Sequence, residues 1–403
     1  MSWPLVKLQD LVDINIGRTP SRDNPEYWGE GVSWLSIRDM NQGKLLSKTA
    51  EQITEFAVKE TKCKIAKKGT VLFSFKLSIG KVGFAEIDMF HNEAIAAMPI
   101  KKDVELCEEY LYFALLQMDS SKSTDRAVMG ATLNKKKMAE LEIPLPPLKT
   151  QKQIAAVLEK ADQLRKDCQK MEQELNSLAQ SVFIEMFGDP MTNPKGYEVR
   201  DIGSTFLLLT DYHANGSYEV LQENVELLEQ GFALMVRTTD LEKNDFINGV
   251  KYISEHAYNY LTKTKVFGGE LIVNKIGSAG KLYLMPKLNR PVSLAMNQFM
   301  VRFDEEKALS VFMYHLLSSQ HGFHEISKKV QGAVTKTIRK DALRSIEMPI
   351  PPVNEQRTFC EFIEKQNNLL NEQKALAEQY QLQFNALMQK AFNGELNLDN
   401  ANT

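Results

Sequence analysis

At 403 residues the chain exceeds what a single hydrophobic core normally holds, and its composition, 43% hydrophobic, 25% charged, 21 Gly and 14 Pro, excludes a collagen, a disulfide scaffold and wholesale disorder. Its 49 basic and 52 acidic residues leave a net charge of −3, so a polyanion partner would require positive charge gathered locally. The four cysteines, Cys63, Cys107, Cys168 and Cys360, stand singly without a CxxC pair, which fits a reducing compartment and argues against structural zinc.

Read from the N-terminus, Met1–Leu11 carries neither a basic leader nor an apolar core, and no later run approaches a membrane span. The expectation is a cytoplasmic chain with no membrane partner. The next stretch, to Ile143, mixes β-type runs such as Val71-Leu-Phe-Ser-Phe75 with Gly-rich turns and one amphipathic helix, Val104 to Met118. A Pro-rich junction, Glu142-Ile-Pro-Leu-Pro-Pro147, closes it.

From Thr150 to Phe187 the sequence is free of Gly and Pro. Ile154, Val157, Ala161, Leu164, Cys168, Met171, Leu175, Leu178 and Val182 recur there at alternating spacings of three and four, the pattern of a coiled-coil seam. Gly188-Asp-Pro190 then stops the helix.

The same order follows again. Glu347-Met-Pro-Ile-Pro-Pro352 repeats the junction 205 residues on, with Gln356 matching Gln151 and Phe392 matching Phe187. Ile253, Glu255 and Ala257 repeat Ile53, Glu55 and Ala57, and Gly280-Lys281 repeats Gly80-Lys81, at an offset of 200. Asn297 matches Asn92, and Leu316-Leu317 matches Leu115-Leu116. A second mixed region with its own amphipathic helix, Glu306 to Ser319, thus precedes a second long helix, Asn354 to Phe392. Phe359, Phe362, Leu369, Leu376, Tyr380 and Leu387 form its stripe, with Gln366 and Gln373 as polar interruptions.

The expected fold is α+β: two pseudo-repeated domains of mixed α/β character, 1–149 and 188–352, each followed by a long helix, 150–187 and 353–392, with a tail at 393–403. Each helix is about 55 Å long and needs a partner for its stripe. Antiparallel pairing of the two as a coiled coil gives an approximately two-fold object, suited to a two-fold partner such as duplex DNA.

A catalytic centre is hard to find. Gly80-Lys81 and Gly280-Lys281 are followed by Val82 and Leu282 rather than Ser or Thr, which argues against a P-loop. Asn24-Pro-Glu-Tyr27 lacks the second Pro of the box with which adenine methyltransferases grip a base, and reads as a turn. His321 and His324 lack a third ligand, and no GxSxG occurs. No metal site or catalytic residue is assigned.

Positive charge does gather at matching places. Lys122, Arg126, Lys135, Lys136 and Lys137 surround Gly130-Ala-Thr132 in the first copy. Lys328, Lys329, Lys336, Arg339, Lys340 and Arg344 surround Gly332-Ala-Val-Thr335 in the second. Small residues between cations let a phosphate backbone approach. Two further loop pairs carry residues able to read base edges: Ser36-Ile-Arg38-Asp39-Met-Asn41 with Arg237-Thr238-Thr239-Asp240, and Lys76-Leu-Ser78-Ile-Gly80-Lys81 with Lys275-Ile-Gly-Ser278-Ala-Gly-Lys281. Asp39 and Asp240 are expected to orient a basic neighbour rather than read cytosine.

The duplicated Ile143-Pro-Leu-Pro-Pro-Leu-Lys-Thr-Gln151 and Ile350-Pro-Pro-Val-Asn-Glu-Gln356 junctions, with Trp34-Leu-Ser-Ile-Arg-Asp39 and the Gly-Lys turns, resemble the specificity subunits of type I restriction-modification systems over essentially the whole chain. That resemblance implies a non-catalytic subunit that reads bipartite double-stranded DNA, one half-site per target recognition domain. It also implies helices that act as a ruler and dock two methyltransferase subunits, to which restriction subunits can add. Adenine-N6 methylation, with its cofactor S-adenosylmethionine, then belongs to the partner, and this chain holds no cofactor. The second copy departs from the pattern: it lacks a counterpart of Trp34 and carries an insertion-like stretch at Thr205–Gln230.

The expected DNA contacts are Ser36, Arg38, Asn41, Lys76, Ser78, Lys81, Thr132, Lys135 and Lys136 in the first domain, and Arg237, Thr238, Lys275, Ser278, Lys281, Thr335, Lys336 and Arg339 in the second. The competing explanation is a two-headed protein-binding adaptor without DNA read-out, which the near-neutral globular regions favour and the paired basic loops oppose. A methyltransferase or nuclease acting alone is the weaker third.

Overall fold

The computed structural model describes residues 3–76, 78–120 and 133–398. The chain divides into two compact units, Met1–Gln169 with Ala375–Thr403, and Lys170–Lys374.

In the first unit the core is a five-stranded sheet in the order Asn15–Ile16, Ile95–Met98, Val71–Ser74, Val82–Ala85, Leu45–Leu46. Every residue of Val71–Ser74, Val82–Ala85 and Ile95–Met98 is buried, so these strands are covered on both faces. That is why they read as short continuous apolar runs rather than alternating ones. A three-stranded sheet of Glu51–Ile53, Trp28–Leu35 and Phe90–His91 adjoins it in the chain, with Trp34 opposite Phe90 in parallel register. Leu5–Lys7 pairs antiparallel with Glu142–Pro144, tying the beginning of the domain to its Pro-rich end.

The second unit repeats this plan with its strands divided four and four. Phe206–Asp211, Gln298–Phe303, Leu271–Asn274 and Leu282–Leu284 form one four-stranded sheet. Lys251–Ile253, Ala233–Val236, Val292–Leu294 and Lys265–Val266 form another. Val199–Asp201 closes on Glu347–Pro349, as its counterpart does in the first unit. Met235 lies opposite Ser293 in parallel, the same relation that Trp34 has to Phe90.

Two expectations change. The helices Glu108–Ser120 and Ser310–Ser318 start four residues later than their composition suggested; the second buries one face, Phe312, Met313, Leu316 and Leu317, but the first is not simply amphipathic, since Tyr110 through Leu115 are buried one after another. A helix apolar all round is a core helix. The strand register also overturns the pairing of Asn92 with Asn297. The backbone of Asn92 donates to Leu35 O as Ala295 does to Val236 O, and Ala94 O accepts from Phe75 as Asn297 O accepts from Lys275. Asn297 is therefore the counterpart of Ala94, because the loop before this strand is longer in the second copy.

The two long helices span Leu148–Phe187 and Val353–Asn393. The first begins two residues before Thr150 because Pro147, with no amide hydrogen of its own to place, offers its carbonyl to Gln151 N at 3.0 Å and lets the helix open at Leu148. In the first unit, Ile154 and Leu158 share a core with Phe384, Met388 and Phe392, and Arg165 Nη1 donates to Gln381 at 3.1 Å. In the second, Phe183, Phe187, Phe312 and Phe359 form an aromatic cluster with centroid separations of 5.0 Å for Phe187–Phe312 and 5.4 Å for Phe183–Phe359. Further along, Gln366 Nε2 donates to Leu175 O. In each unit the numbers fall on one helix as they rise on the other, so the helix segments pair antiparallel.

The heptad stripe is not buried along its whole length. Ile154 and, midway along, Cys168 are buried, whereas Leu164, Met171 and Leu178 remain 41%, 46% and 40% exposed. An α-helix turns about 20° per heptad away from a strict seven-residue stripe, so the line of burial drifts off the stripe and neighbouring residues such as Leu158 and Phe183 are buried as well. Among the described residues no helix is long and apolar enough to cross a membrane.

Candidate nucleic-acid interface

In both units the loop after the strand that ends at Leu35 or Val236 is built around one buried carboxylate. Asp39 accepts Ser36 N at 2.8 Å and Asp240 accepts Arg237 N at 2.9 Å, and each closes a helical turn. What surrounds this anchor differs. Ser36 Oγ donates to Asp39 at 2.8 Å. At the matching place the Arg237 guanidinium is clamped on Asp240, 3.1 Å from Nε and 2.7 Å from Nη2, and Nη2 also donates to Gly249 O at 2.7 Å. Asp240 thus orients its basic neighbour, while Asp39 serves the loop backbone. Arg38 and Asn41 are exposed beside Asp39, and Thr238 is half-buried beside Arg237.

The second candidate loop is a strand-to-strand turn that closes identically in both copies. Gly80 N donates to Ser74 O at 3.0 Å and Gly280 N to Asn274 O at 2.8 Å. Both glycines sit in the left-handed region, with φ of 96° and 86°. At Gly280 a Cβ would also stand 2.5 Å from Ile326 Cγ2, so position and packing both demand glycine.

The two loops meet. Lys81 Nζ donates to Asn41 Oδ1 at 2.7 Å. Lys281 Nζ lies 3.6 Å from Glu242 Oε1, and Glu242 occupies the position of Asn41, since each stands two residues past its anchoring aspartate. In the second unit a third segment joins them: Gly277 N donates to Lys336 O at 3.0 Å and Ile338 N to Lys275 O at 3.0 Å, setting exposed Thr335, Lys336 and Arg339 beside exposed Ser278. The main chain makes these bonds, so the cations need not hold the loop.

Lys275 is different. Its ammonium lies 3.1 Å from Asp211, which also takes Lys340 at 2.7 Å. Burial raises the cost of the Asp211 charge, yet the two lysines hold its carboxyl below the usual carboxylate range. Lys275 and Arg237 therefore have structural partners inside the domain, which Lys281, Lys336 and Arg339 lack to the same degree.

In the first unit, helix Lys135–Glu140 plants Met138 in the core and exposes Lys135 and Lys136. Half-buried Lys76 and Ser78 belong to the turn beside Lys81. Lys122, Arg126 and Thr132 lie outside the described residues. Asn24-Pro-Glu-Tyr27 is a turn, with Asn24 Oδ1 accepting Glu26 N at 3.0 Å.

Sequence reading missed the neighbours that come from the longer second-copy segment. Tyr212, Tyr218, Leu221 and Gln222 border the Arg237–Thr239 loop. The mismatch in repeat length at Thr205–Gln230 was the available signal.

The family model described as the type I restriction modification DNA specificity domain matches residues 2–178 and 194–379. The chain belongs to that family. It carries the DNA sequence-specificity role of a type I restriction-modification system, a non-catalytic part. A specificity subunit of Methanocaldococcus jannaschii, that of the type I restriction enzyme MjaIX, is 26% identical, with 98% of this chain and 94% of the relative covered. The solved type I specificity subunit of M. genitalium superposes with a TM-score of 0.57 at 14% identity, covering 97% and 96% of the two chains. A chain solved in work on complex assembly and conformational transition of the type I system gives 0.57 at 16% identity, covering 98% of each. At such identities the structural likeness establishes the fold.

Proposed function

We propose that this specificity subunit reads a bipartite duplex, one half-site per recognition domain, with domain limits near 1–149 and 188–352. The observation that carries the reading is the duplicated meeting of two loops, Lys81 with Asn41 and Lys281 with Glu242, on a common scaffold whose tips differ. A shared frame with divergent tips suits two different half-sites.

Phosphate and base contacts are assigned to Ser36, Arg38, Asn41, Lys76, Ser78, Lys81, Lys135 and Lys136 in the first domain. In the second they fall to Thr238, Ser278, Lys281, Thr335, Lys336 and Arg339. Arg237 and Lys275 support these loops first, because their carboxylate partners must be given up before they can reach DNA.

The paired helices dock two methyltransferase subunits, with restriction subunits joining the same complex, and the partner carries S-adenosylmethionine for adenine-N6 methylation in the cytoplasm. The half-exposed Leu164, Met171 and Leu178 support docking there, since a seven-residue apolar stripe left open is a surface for further helices. Binding of the complex to its duplex at rising salt tests the DNA reading. A linear fall of log affinity with log salt supports it, and a flat line supports a protein adaptor instead.

A further inference from the structure

The second recognition domain contains a cavity of about 440 Å³ that the DNA-reading role leaves without a task. Its size lies in the range of small-molecule sites. One wall comes from the longer second-copy segment: where the first copy has the short turn Pro25–Tyr27, the second has the helix Tyr218–Asn224. Leu221, 1% exposed, and Tyr212, 6% exposed, give that wall an apolar floor, and Tyr218, 58% exposed, stands open to solvent. The opposite wall is the candidate reading loop itself, through Arg237, Thr238 and Thr239, with Met235 of the preceding strand.

Polar groups sit around the apolar floor. Gln222, Thr238 and Asn297 line the cavity together with it. Asn297 holds a left-handed φ of 72° while its carbonyl accepts Lys275 N at 2.8 Å, which fixes this edge to the second reading loop.

An aromatic face, an apolar floor and amide or hydroxyl groups at the edge, beside a loop placed to touch DNA, match the requirements of a flat heteroaromatic ring with polar edges. Resting on the DNA reading above, we propose that this cavity takes a nucleobase turned out of the duplex within the half-site read by the second domain. Tyr218 supplies the stacking face, and Gln222, Thr238 and Asn297 bond the exposed base edge. The unstacking cost then makes the second half-site sensitive to how easily one base pair opens, in addition to contacts in the groove.

The test uses the full chain bound to its methyltransferase partner, with 2-aminopurine placed in turn at each position of the second half-site. The proposal expects a rise in fluorescence at one position, altered by Tyr218→Ala, whose ring both holds and quenches a stacked base, and abolished by Val225→Trp, which fills the cavity that Val225 lines. Discrimination of the first half-site and any signal at the methylated adenine should persist in both variants. An abasic site at the identified position should tighten binding by the unmodified chain and lose that advantage in Val225→Trp. Sequence-specific binding with no signal dependent on Tyr218 or Val225 overturns the cavity proposal and leaves the DNA reading intact. Absence of any sequence-specific binding by the unmodified complex overturns the DNA reading on which the proposal rests.

Discussion

Gln151 and Gln356 make the same three hydrogen bonds in their respective units. Gln151 Oε1 accepts Cys107 N at 2.9 Å, and its Nε2 donates to Glu105 O at 3.0 Å and Pro146 O at 2.8 Å. Gln356 Oε1 accepts Leu309 N at 2.9 Å, and its Nε2 donates to Lys307 O at 3.2 Å and Pro351 O at 2.8 Å. Both side chains are fully buried. A single amide thus joins the first turn of each long helix to the loop before the core helix of its domain, which sets the angle at which the recognition domain leaves the helix. Glutamine suits this place because it carries donor and acceptor on one planar group, whereas Glu or Leu supplies at most part of the set.

Replacing Gln356 by Leu should therefore destabilise the second unit by about 2 kcal/mol, since it strands a buried amide and two carbonyls. Urea unfolding followed by circular dichroism measures the change. A loss below a few tenths of a kcal/mol would show that the junction is held by packing alone.

The loop cations divide into two kinds with different signatures. Lys336→Ala and Lys81→Ala should weaken DNA binding across sequences and reduce the salt slope by about one unit each, because each removes one phosphate neutralisation. Arg237→Ala should instead lower thermal stability, as its guanidinium holds buried Asp240 and Gly249 O. Gel shifts over a salt series, set beside melting curves for the same variants, separate the two kinds.

His91 gives the fold a pH dependence of predictable sign. Burial pushes its imidazole down to about 4 from an ordinary 6.5, while Nδ1 contacts Ile95 O at 3.1 Å. The unfolded chain takes up a proton below pH 6.5 and the folded one does not, so stability present above that value is lost as pH falls toward 4. The loss at pH 5 is about 2 kcal/mol relative to pH 7. Comparing His91→Asn, which keeps a donor near Ile95, with the parent chain by urea unfolding at pH 7 and pH 5 should show a shallower pH dependence in the variant.

Much of this architecture is readable from residues whose role is local. Gly80 and Gly280 mark turns that need a left-handed backbone, and the doubled Pro-Pro and Gln151 or Gln356 signals mark where a domain ends and a helix begins. What escaped reading depends on long-range packing. The heptad positions Leu164, Met171 and Leu178 look like Ile154 and Cys168 in the sequence pattern, and only the packing around the helix decides which are sealed. The equivalence of Asn297 with Ala94 required strand register, because a loop of different length shifts identity without shifting structure. Arg237 reads as a base contact by residue type, yet its carboxylate partner three residues on consumes its donors.

The most direct test of the central claim is to co-express the chain with its methyltransferase partner and map N6-methyladenine across the host DNA. The parent chain is compared with a Thr238→Ala, Ser278→Ala double variant in which Lys336 and Arg339 are left intact. The account predicts one motif of two short defined halves around a fixed gap, with the two substitutions relaxing only the half read by the second domain. A competent, co-purifying complex that leaves no such motif, or a motif whose two halves relax together, would contradict it.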